Sequence, residues 1–202
     1  MARKSHDYKF LTLLVGDDHD TIGKLVFKVS DGPYIYLIEK RIEIDGKIIQ
    51  LNIGDLRDTA YWSCYPSYLT IKGMLLTYDI TRHESFEYVS SVWRQFITKV
   101  AKSDTEVMLI GFNCHLEYQR MVPTETAARY ADELGMKFME VSTVEDLNID
   151  EVIFTLASGI LRRIKKREKV SRFWFIIGRF IQIHPIFTKG KICFKAVLLN
   201  TV

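Results

Sequence analysis

Near the amino terminus, glycines, a lysine and several carboxylates have the residue types of a phosphate-binding loop. Directly after an apolar run, the chain reads Gly16-Asp17-Asp18-His19-Asp20-Thr21-Ile22-Gly23-Lys24-Leu25. A loop of the form G-x-x-x-x-G-K-[ST] wraps phosphates in backbone N–H groups, neutralises them with Lys and binds Mg²⁺ through the hydroxyl. Here the pair Gly23 and Lys24 comes two residues too late, and Leu25 stands where the hydroxyl is needed.

The charge of this loop opposes phosphate binding. Asp17, Asp18 and Asp20 would bring negative charge toward a bound triphosphate. Two like charges about 4 Å apart repel by about 4 kcal/mol at an effective dielectric of about 20. Two interpretations stay open, a rearranged phosphate loop that uses Lys24 and a solvated loop without a ligand, and the second is favoured. The carboxylates around His19 also lack the spacing of a calcium-binding loop.

Three more segments place polar residues where apolar runs end. Asp55 ends one run, where a carboxylate is either a metal ligand or, more often, a turn or helix-capping residue. The segments Asn113-Cys114-His115 and Ser142-Thr143-Val144 follow two others. No histidine lies near a serine or cysteine in the pattern of a nucleophile and its base, and the neighbouring Cys114 and His115 have diverging side chains. We therefore predict no covalent catalysis.

Six apolar runs predict the strands that would hold these residues at one edge of a sheet. They cover residues 10–15, 41–44, 47–53, 73–78, 107–111 and 138–141. Asp45-Gly46 between the second and third runs is a hairpin signal, because both residues tolerate the positive φ of a tight turn. Ligands of open α/β sheets bind beyond the carboxyl ends of the strands. Those ends are Gly16, Asp55, Asp79, Gly111 and Val141.

Helical periods separate the strands. Apolar residues at three- and four-residue steps define the inward faces of three predicted helices: Phe86, Val89, Val92, Trp93, Phe96 and Val100; then Ala127, Ala128, Ala131 and Leu134 within 124–134; then Ile149, Val152, Ile153, Leu156, Ile160 and Ile164. Alternating strands and helices predict an α/β fold with a mostly parallel, doubly wound six-stranded sheet and one antiparallel edge hairpin.

The bulk composition favours a globular protein of the cytoplasm. The chain has 202 residues, 48% of them hydrophobic, and a net charge of +3, which is too small to predict nucleic-acid binding. Three cysteines without metal-ligand spacing favour a reducing compartment. The first residues contain no apolar signal region, and no segment is long and apolar enough to span a bilayer.

Two runs carry a resemblance to a known family. Residues 41–51, Arg-Ile-Glu-Ile-Asp-Gly-Lys-Ile-Ile-Gln-Leu, and residues 78–86, Tyr-Asp-Ile-Thr-Arg-His-Glu-Ser-Phe, resemble the Rab branch of the Ras superfamily of small GTPases. The resemblance covers roughly residues 8 to 166 and is specific in the strands and helices. It implies the small-GTPase fold, a relative of P-loop NTPases, for a domain over 1–168, followed by an atypical tail over 169–202.

The resemblance also implies where guanine nucleotide would bind. Gly16, Gly23, Lys24, Asp55 and Ser142 are the remnants of the family's nucleotide-binding positions, and Asp55 matches its Mg²⁺-positioning aspartate. Without gaps, Ile22 falls on the family's lysine and Gly23 on its Ser/Thr. The segment 33–40, which corresponds to the first switch, is short and lacks the threonine that binds Mg²⁺.

The catalytic and base-reading positions differ from the family as well. Asp58 replaces the glycine that contacts the γ-phosphate, and Thr59 replaces the water-positioning Gln. The segment Phe112-Asn113-Cys114-His115 replaces Asn-Lys-x-Asp, so His115 stands where the family's carboxylate accepts two hydrogen bonds from guanine. Losing four charged contacts costs about 6 kcal/mol, or about four orders of magnitude in affinity.

We therefore predict a pseudo-GTPase with no catalytic residues and no expected cofactor, a Rab-like binding protein of vesicle traffic. The alternative is an active GTPase that binds GTP or GDP with Mg²⁺ and hydrolyses GTP slowly through Lys24, Asp55 and Ser142. A third possibility is the product of a decaying gene copy. Binding of fluorescent guanine nucleotide separates the first two.

Four aromatic residues and the tail suggest partners. Tyr61, Trp62, Tyr65 and Tyr68 are interpreted either as helix core or as a surface for Rab-type effectors and regulators, since aromatic residues anchor such interfaces.

The tail lacks the terminal cysteines of Rab proteins, so no prenyl group is expected. Its basic run 162–167 and apolar run 173–187 predict either peripheral contact with intracellular membranes through Trp174 and Phe180, or a segment that packs on the domain or is poorly ordered.

Overall fold

The computed structural model describes residues 6–17, 37–55, 71–92, 104–188 and 191–198. For residues 37, 38, 55, 172–188 and 191–198 it describes the backbone alone. The chain divides into two compact units, Met1–Leu161 and Arg162–Val202. The predicted boundary at residue 168 stays a prediction.

Six strands of the first unit form one sheet. They are β1 (Tyr8–Val15), β2 (Leu37–Ile44), β3 (Lys47–Asp55), β4 (Ile71–Asp79), β5 (Glu106–Phe112) and β6 (Lys137–Glu140). Their order is β2-β3-β1-β4-β5-β6. Only the pair β2 and β3 is antiparallel, while the other four pairs are parallel. The predicted sheet is therefore confirmed, and each predicted strand is present with ends that differ by a few residues.

The antiparallel pair closes through the predicted hairpin turn. Asp45 and Gly46 have φ values of 52° and 69°, so both central residues are left-handed, as in a type I′ turn. The register then pairs Ile44 with Lys47 and continues to Leu37 with Gly54. Two residues thus fix which side of this edge hairpin faces the core.

Helices cover both faces of the sheet. Helix α1 (His83–Val92) and helix α2 (Thr124–Glu133) bury Phe86, Val89, Ala127 and Ala131 in a cluster with β-strand residues such as Leu13, Leu76 and Leu109. Helix α3 (Ile149–Phe180) covers the opposite face with its residues up to Leu161, and the methyl groups of Leu156 and Ile160 lie against Gly73. This two-sided burial explains the near-continuous apolar runs of the central strands.

The helices depart from their predictions in two places. Leu134 was predicted to face inward but is 38% exposed, because α2 ends at Glu133 and Leu134 is its C-cap residue. Helix α3 was predicted over the residues up to Ile164 but continues to Phe180. Residues 93–103, which include Trp93, Phe96 and Val100, lie outside the described residues.

The second unit contains a hairpin where the sequence predicted no strand. After α3 ends at Phe180, β7 (Ile181–Thr188) pairs antiparallel with β8 (Lys191–Leu198). The apolar run 173–187 is therefore divided between a helix end and a strand. From Ile181 to His184 an isoleucine alternates with a polar residue, a pattern typical of strands.

Candidate functional site

The carboxyl edge of the sheet brings together three of the five predicted nucleotide-binding residues. Gly16 directly follows β1, Asp55 is the last residue of β3, and Ser142 comes two residues after β6. Asp55 pairs in register with Leu14, close to Gly16. Gly23 and Lys24 lie outside the described residues, as does the side chain of Asp55. The predicted partner residues Tyr61, Trp62, Tyr65 and Tyr68 also lie outside them.

The first carboxylate of the predicted phosphate loop is paired. Asp17 Oδ2 accepts a hydrogen bond from Arg82 Nη2 at 3.1 Å, and the Asp17 side chain is only 19% exposed. Arg82 lies just after β4, 65 residues away in sequence. Arg82 thus pairs with one of the carboxylates expected to repel phosphate, and the effect of this loop on phosphate binding stays a prediction. Asp18 and Asp20 are outside the described residues.

Asp79, at the end of β4, is a hydrogen-bonding centre to which the sequence analysis assigned no role. Its Oδ1 accepts from the backbone N–H of Thr81 at 2.8 Å and from the Thr81 hydroxyl at 2.7 Å. Its Oδ2 accepts from Asn113 Nδ2 at 2.9 Å, and its backbone N–H donates to Ser85 Oγ. The Asp-x-Thr spacing signals the turn, because Asp side chains bond N–H groups two residues on.

Asn113 connects this centre to the loop after β5. It has a left-handed backbone with φ of 63° and precedes a 3-10 helix over Cys114–Gln119. The hydrogen bond from its side-chain amide to Asp79 spans 34 residues of sequence. The loop after β5 is thereby fastened to the end of β4.

His115 and Ser142 meet across two loops, a contact that their separation of 27 residues in the sequence does not signal. His115 Nδ1 lies 3.0 Å from Ser142 Oγ, which also accepts the backbone N–H of Glu145 at 3.1 Å. Ser142 is fully buried, so its hydroxyl is not placed to attack a substrate. Which of the two atoms donates depends on the tautomer of the imidazole, but in every tautomer the contact with Ser142 occupies Nδ1 and leaves Nε2 as the other ring nitrogen.

Arg120 forms a second network beside this pair. Its guanidinium donates to both carboxylate oxygens of Glu140, at 2.7 and 2.8 Å, and to the carbonyl oxygen of Val122 at 3.1 Å. It also donates to both oxygens of Glu117. The bonds to Glu140, followed by those to Glu117, raise the pKa of Arg120. No spacing in the sequence signals this network, because Arg120 and Glu140 lie 20 residues apart in a loop and at a strand end.

The remaining reactive groups do not point to catalysis. Burial first, and then the nearby charge of Glu140, raise the pKa of the half-exposed Cys114 thiol, and a raised pKa leaves little thiolate. The described part of the chain contains no group of three His, Cys, Asp or Glu residues that could hold a metal ion. Within that same part, no helix combines the length and apolar composition needed to cross a membrane.

The buried phenol of Tyr78 yields a pH prediction. Among the described residues its hydroxyl has no hydrogen-bond partner, and burial, with the charge of Glu140, raises the Tyr78 pKa. The folded protein holds the Tyr78 phenol in its neutral form. Its stability therefore begins to fall as the pH rises past about 10, where the tyrosine of the unfolded chain ionises. We expect Tyr78→Phe to cost less than about 1 kcal/mol near neutral pH and to weaken the loss of stability above about pH 10.

The measurement for Tyr78 is urea unfolding across alkaline pH. Tyr118→Phe is the matched control, because that side chain is 80% exposed. Equal pH dependence of the two variants would contradict the prediction.

Comparisons with known proteins agree with this geometry. The family model described as "Ras family" matches residues 27–162. The chain is 32% identical over 177 residues to the Ras-related protein Rab-8B of Bos taurus, covering 81% of this chain and 84% of that protein. It is 35% identical over 179 residues to the GTP-binding protein ypt2 of Schizosaccharomyces pombe, covering 83% and 87%. Ras-related protein RABD2c of Arabidopsis thaliana is 32% identical over 170 residues, with 79% and 84% covered.

Proposed function

This chain belongs to the Rab branch of the Ras family of small GTPases, and from that premise we propose that it is a pseudo-GTPase: a Rab-like binding protein of vesicle traffic that holds guanine nucleotide weakly or not at all. Its partners would be proteins of the Rab effector or regulator type, bound through the aromatic segment Tyr61 to Tyr68. The observation that carries the proposal is the His115–Ser142 pair at the base-reading end of the cleft.

At that end the family relies on a carboxylate that accepts hydrogen bonds from guanine. Guanine presents donors there, its exocyclic amino group among them. With Nδ1 bonded to Ser142, His115 leaves one ring nitrogen, Nε2, for a ligand, and that nitrogen accepts at most one hydrogen bond and carries no negative charge. At least one guanine donor would therefore lose its hydrogen bond to water without a replacement, which costs about 1–3 kcal/mol.

The neighbouring position offers no compensation. Asn113 stands where the family has lysine, and its amide is bonded to Asp79 at 2.9 Å. Freeing Asn113 for a ligand would break that bond and leave one oxygen of a buried carboxylate without its partner. The base-reading loop is therefore satisfied by the protein itself, which favours a cleft that works without nucleotide.

One observation favours the alternative, an active GTPase with a rearranged phosphate loop. In the Asp17–Arg82 pair, the guanidinium offsets the charge of one of the three carboxylates in the predicted phosphate loop. Residual binding would then depend on Lys24 for the phosphates, with Mg²⁺ at Asp55.

Nucleotide content separates the two candidates. We expect the purified full chain to carry no stoichiometric GDP or GTP and to bind a fluorescent GDP analogue, with Mg²⁺ present, more weakly than micromolar. Heat-released nucleotide is measured by chromatography, and binding is measured by fluorescence titration. Micromolar or tighter binding that Lys24→Ala abolishes would reject the pseudo-GTPase and support the alternative.

The variant His115→Asp is the sharper control. It returns to the base-reading position a carboxylate, which accepts two hydrogen bonds where the imidazole accepts at most one. If the cleft holds nucleotide at all, this change should strengthen guanine binding by at least about tenfold, since a charged hydrogen bond contributes about 1.5–3 kcal/mol. In a pseudo-GTPase with a defective phosphate loop, the wild type and His115→Asp should both fail to bind.

A further inference from the structure

Charge is strongly divided between the two compact units. Residues 162–202 contain eleven Lys or Arg and one acidic residue, Glu168, for a net charge of +10. The first 161 residues hold the other 17 basic and 24 acidic residues, for a net charge of −7. The whole-chain value of +3 therefore hides a cationic unit. Such asymmetry indicates a polyanionic partner for the second unit.

The basic residues begin on the second half of helix α3. From Lys165 to Ser171 every side chain is exposed. This stretch includes Val170, which is 49% exposed, and a single acidic residue, Glu168. The helix then continues with Phe-Trp-Phe-Ile-Ile over residues 173–177. A cationic segment is thus followed directly by an apolar one.

The hairpin that ends this unit is amphipathic by register. Successive pairs of an antiparallel ladder lie on alternate faces. Every second pair, from Ile181 with Leu198 to Phe187 with Ile192, consists of two apolar residues. On the other face, from Gln182 with Val197 to Thr188 with Lys191, three of the four pairs contain a polar or charged residue. We call the first of these the apolar hairpin face.

A two-stranded hairpin is marginally stable by itself, and covering its apolar face would stabilise it. We propose that residues 162–198 form a membrane-docking unit: the apolar hairpin face lies in the interface of an anionic phospholipid bilayer, and the basic stretch of α3 contacts its headgroups. Phospholipid supplies both an apolar layer and a negative surface, whereas a nucleic acid offers charge without an apolar layer. The inference does not depend on whether the first unit binds nucleotide.

Vesicle flotation of the full chain tests this proposal. Vesicles of phosphatidylcholine alone are compared with vesicles that also contain phosphatidylserine, in EDTA and without nucleotide, so failure of the pseudo-GTPase proposal leaves the result unaffected. We expect binding only to the serine-containing vesicles, and a decrease as salt rises, since salt screens the headgroup charge. Each Lys or Arg near an anionic surface strengthens partitioning about fivefold, so Lys165→Gln with Lys166→Gln should weaken binding by at least about tenfold.

Matched variants test the apolar hairpin face. Ile183→Ser with Ile192→Ser alters two positions of that face, while Ile186→Ser with Val197→Ser makes the same kind of change on the other face. We expect the first pair to weaken vesicle binding by at least about tenfold and the second to change it little. Lys47→Gln with Arg129→Gln is the control for the charge variants, since both residues are exposed in the first unit.

A fluorescence measurement locates the contact. With Trp62→Phe and Trp93→Phe, Trp174 is the remaining tryptophan of three. Its emission should shift to the blue on serine-containing vesicles and be quenched by brominated lipid.

The proposal is overturned if neither vesicle binds, if both bind equally, or if the two serine pairs act alike. Binding to RNA in a gel shift without vesicle binding would assign a nucleic acid instead. If the wild type binds no vesicles and Ile183→Ser with Ile192→Ser lowers the thermal stability, the apolar hairpin face belongs to the protein's own core instead.

Discussion

Replacing Arg120 with methionine is expected to lower the free energy of unfolding by about 3 kcal/mol. The side chains of Arg120 and Glu140 are 13% and 16% exposed, so the change would leave a largely buried carboxylate without its partner. Breaking a buried ion pair by removing one member costs more than the pair contributes, because the remaining charge has lost its hydration. The Arg120 bond to the Val122 carbonyl is lost as well.

The cost should fall when Glu140 is neutralised. We expect Arg120→Met with Glu140→Gln to recover a substantial part of the lost stability, because an amide is cheaper to bury than a carboxylate. Glu117→Gln is the control, since Glu117 also bonds Arg120 but its side chain is 70% exposed, and it should have little effect. The measurement is urea unfolding at neutral pH. An Arg120→Met variant as stable as Glu117→Gln would show that the network is unimportant for the fold.

Replacing Gly159 with alanine is expected to destabilise the protein by about 2 kcal/mol. An alanine in place of a glycine within a helix ordinarily stabilises by about 1 kcal/mol, so here the sign is reversed. The reason is local: a Cβ at position 159 would overlap the carboxylate of Glu106 and lie 2.7 Å from its Cγ. The Glu106 side chain is only 8% exposed, at the start of β5, and has little room to move.

A double-mutant cycle isolates this contact. Glu106→Ala removes the obstacle, so Gly159→Ala in that background should be neutral or stabilising, with a coupling energy of about 2 kcal/mol. Ser158→Ala is the control for helix propensity at the neighbouring position. Additive effects of the two changes, measured by urea unfolding, would contradict the proposed overlap.

The agreement between sequence and structure is closest where the signal is local. The strands at β4 and β5 follow from unbroken apolar runs, and the β2–β3 hairpin follows from Asp45-Gly46, whose positive φ values a two-residue turn requires. The inward faces of α1 and α3 follow from the spacing of Phe86 and Val89, and of Leu156 and Ile160. The prediction that Leu134 faces inward was wrong, because apolar periodicity shows which face of a helix is buried but not at which residue the helix ends.

The residue types of the candidate site can be read from the sequence, but the contacts between them cannot. By the resemblance, a histidine stands where the family has its base-reading carboxylate and a leucine follows the Gly-Lys pair, and the effect of these changes on nucleotide binding stays a prediction. The sequence did not indicate that Arg82 pairs with Asp17, that the Asp79 carboxylate accepts three hydrogen bonds, or that His115 meets Ser142. The sequence separations of 65, 34 and 27 residues in the long-range pairs explain why.

What the sequence by itself determined is the fold class, the residue types that differ from the family at the expected nucleotide contacts, and the basic run 162–167. These depend on residue types and on short periods along the chain. Only the tertiary structure decided which polar groups satisfy one another at the carboxyl edge, that Glu106 fills the space beside Gly159, and that β7 and β8 pair in a register that gathers apolar residues on one face. Such pairings depend on distances between segments far apart in sequence, which packing of the whole chain sets and local propensity does not.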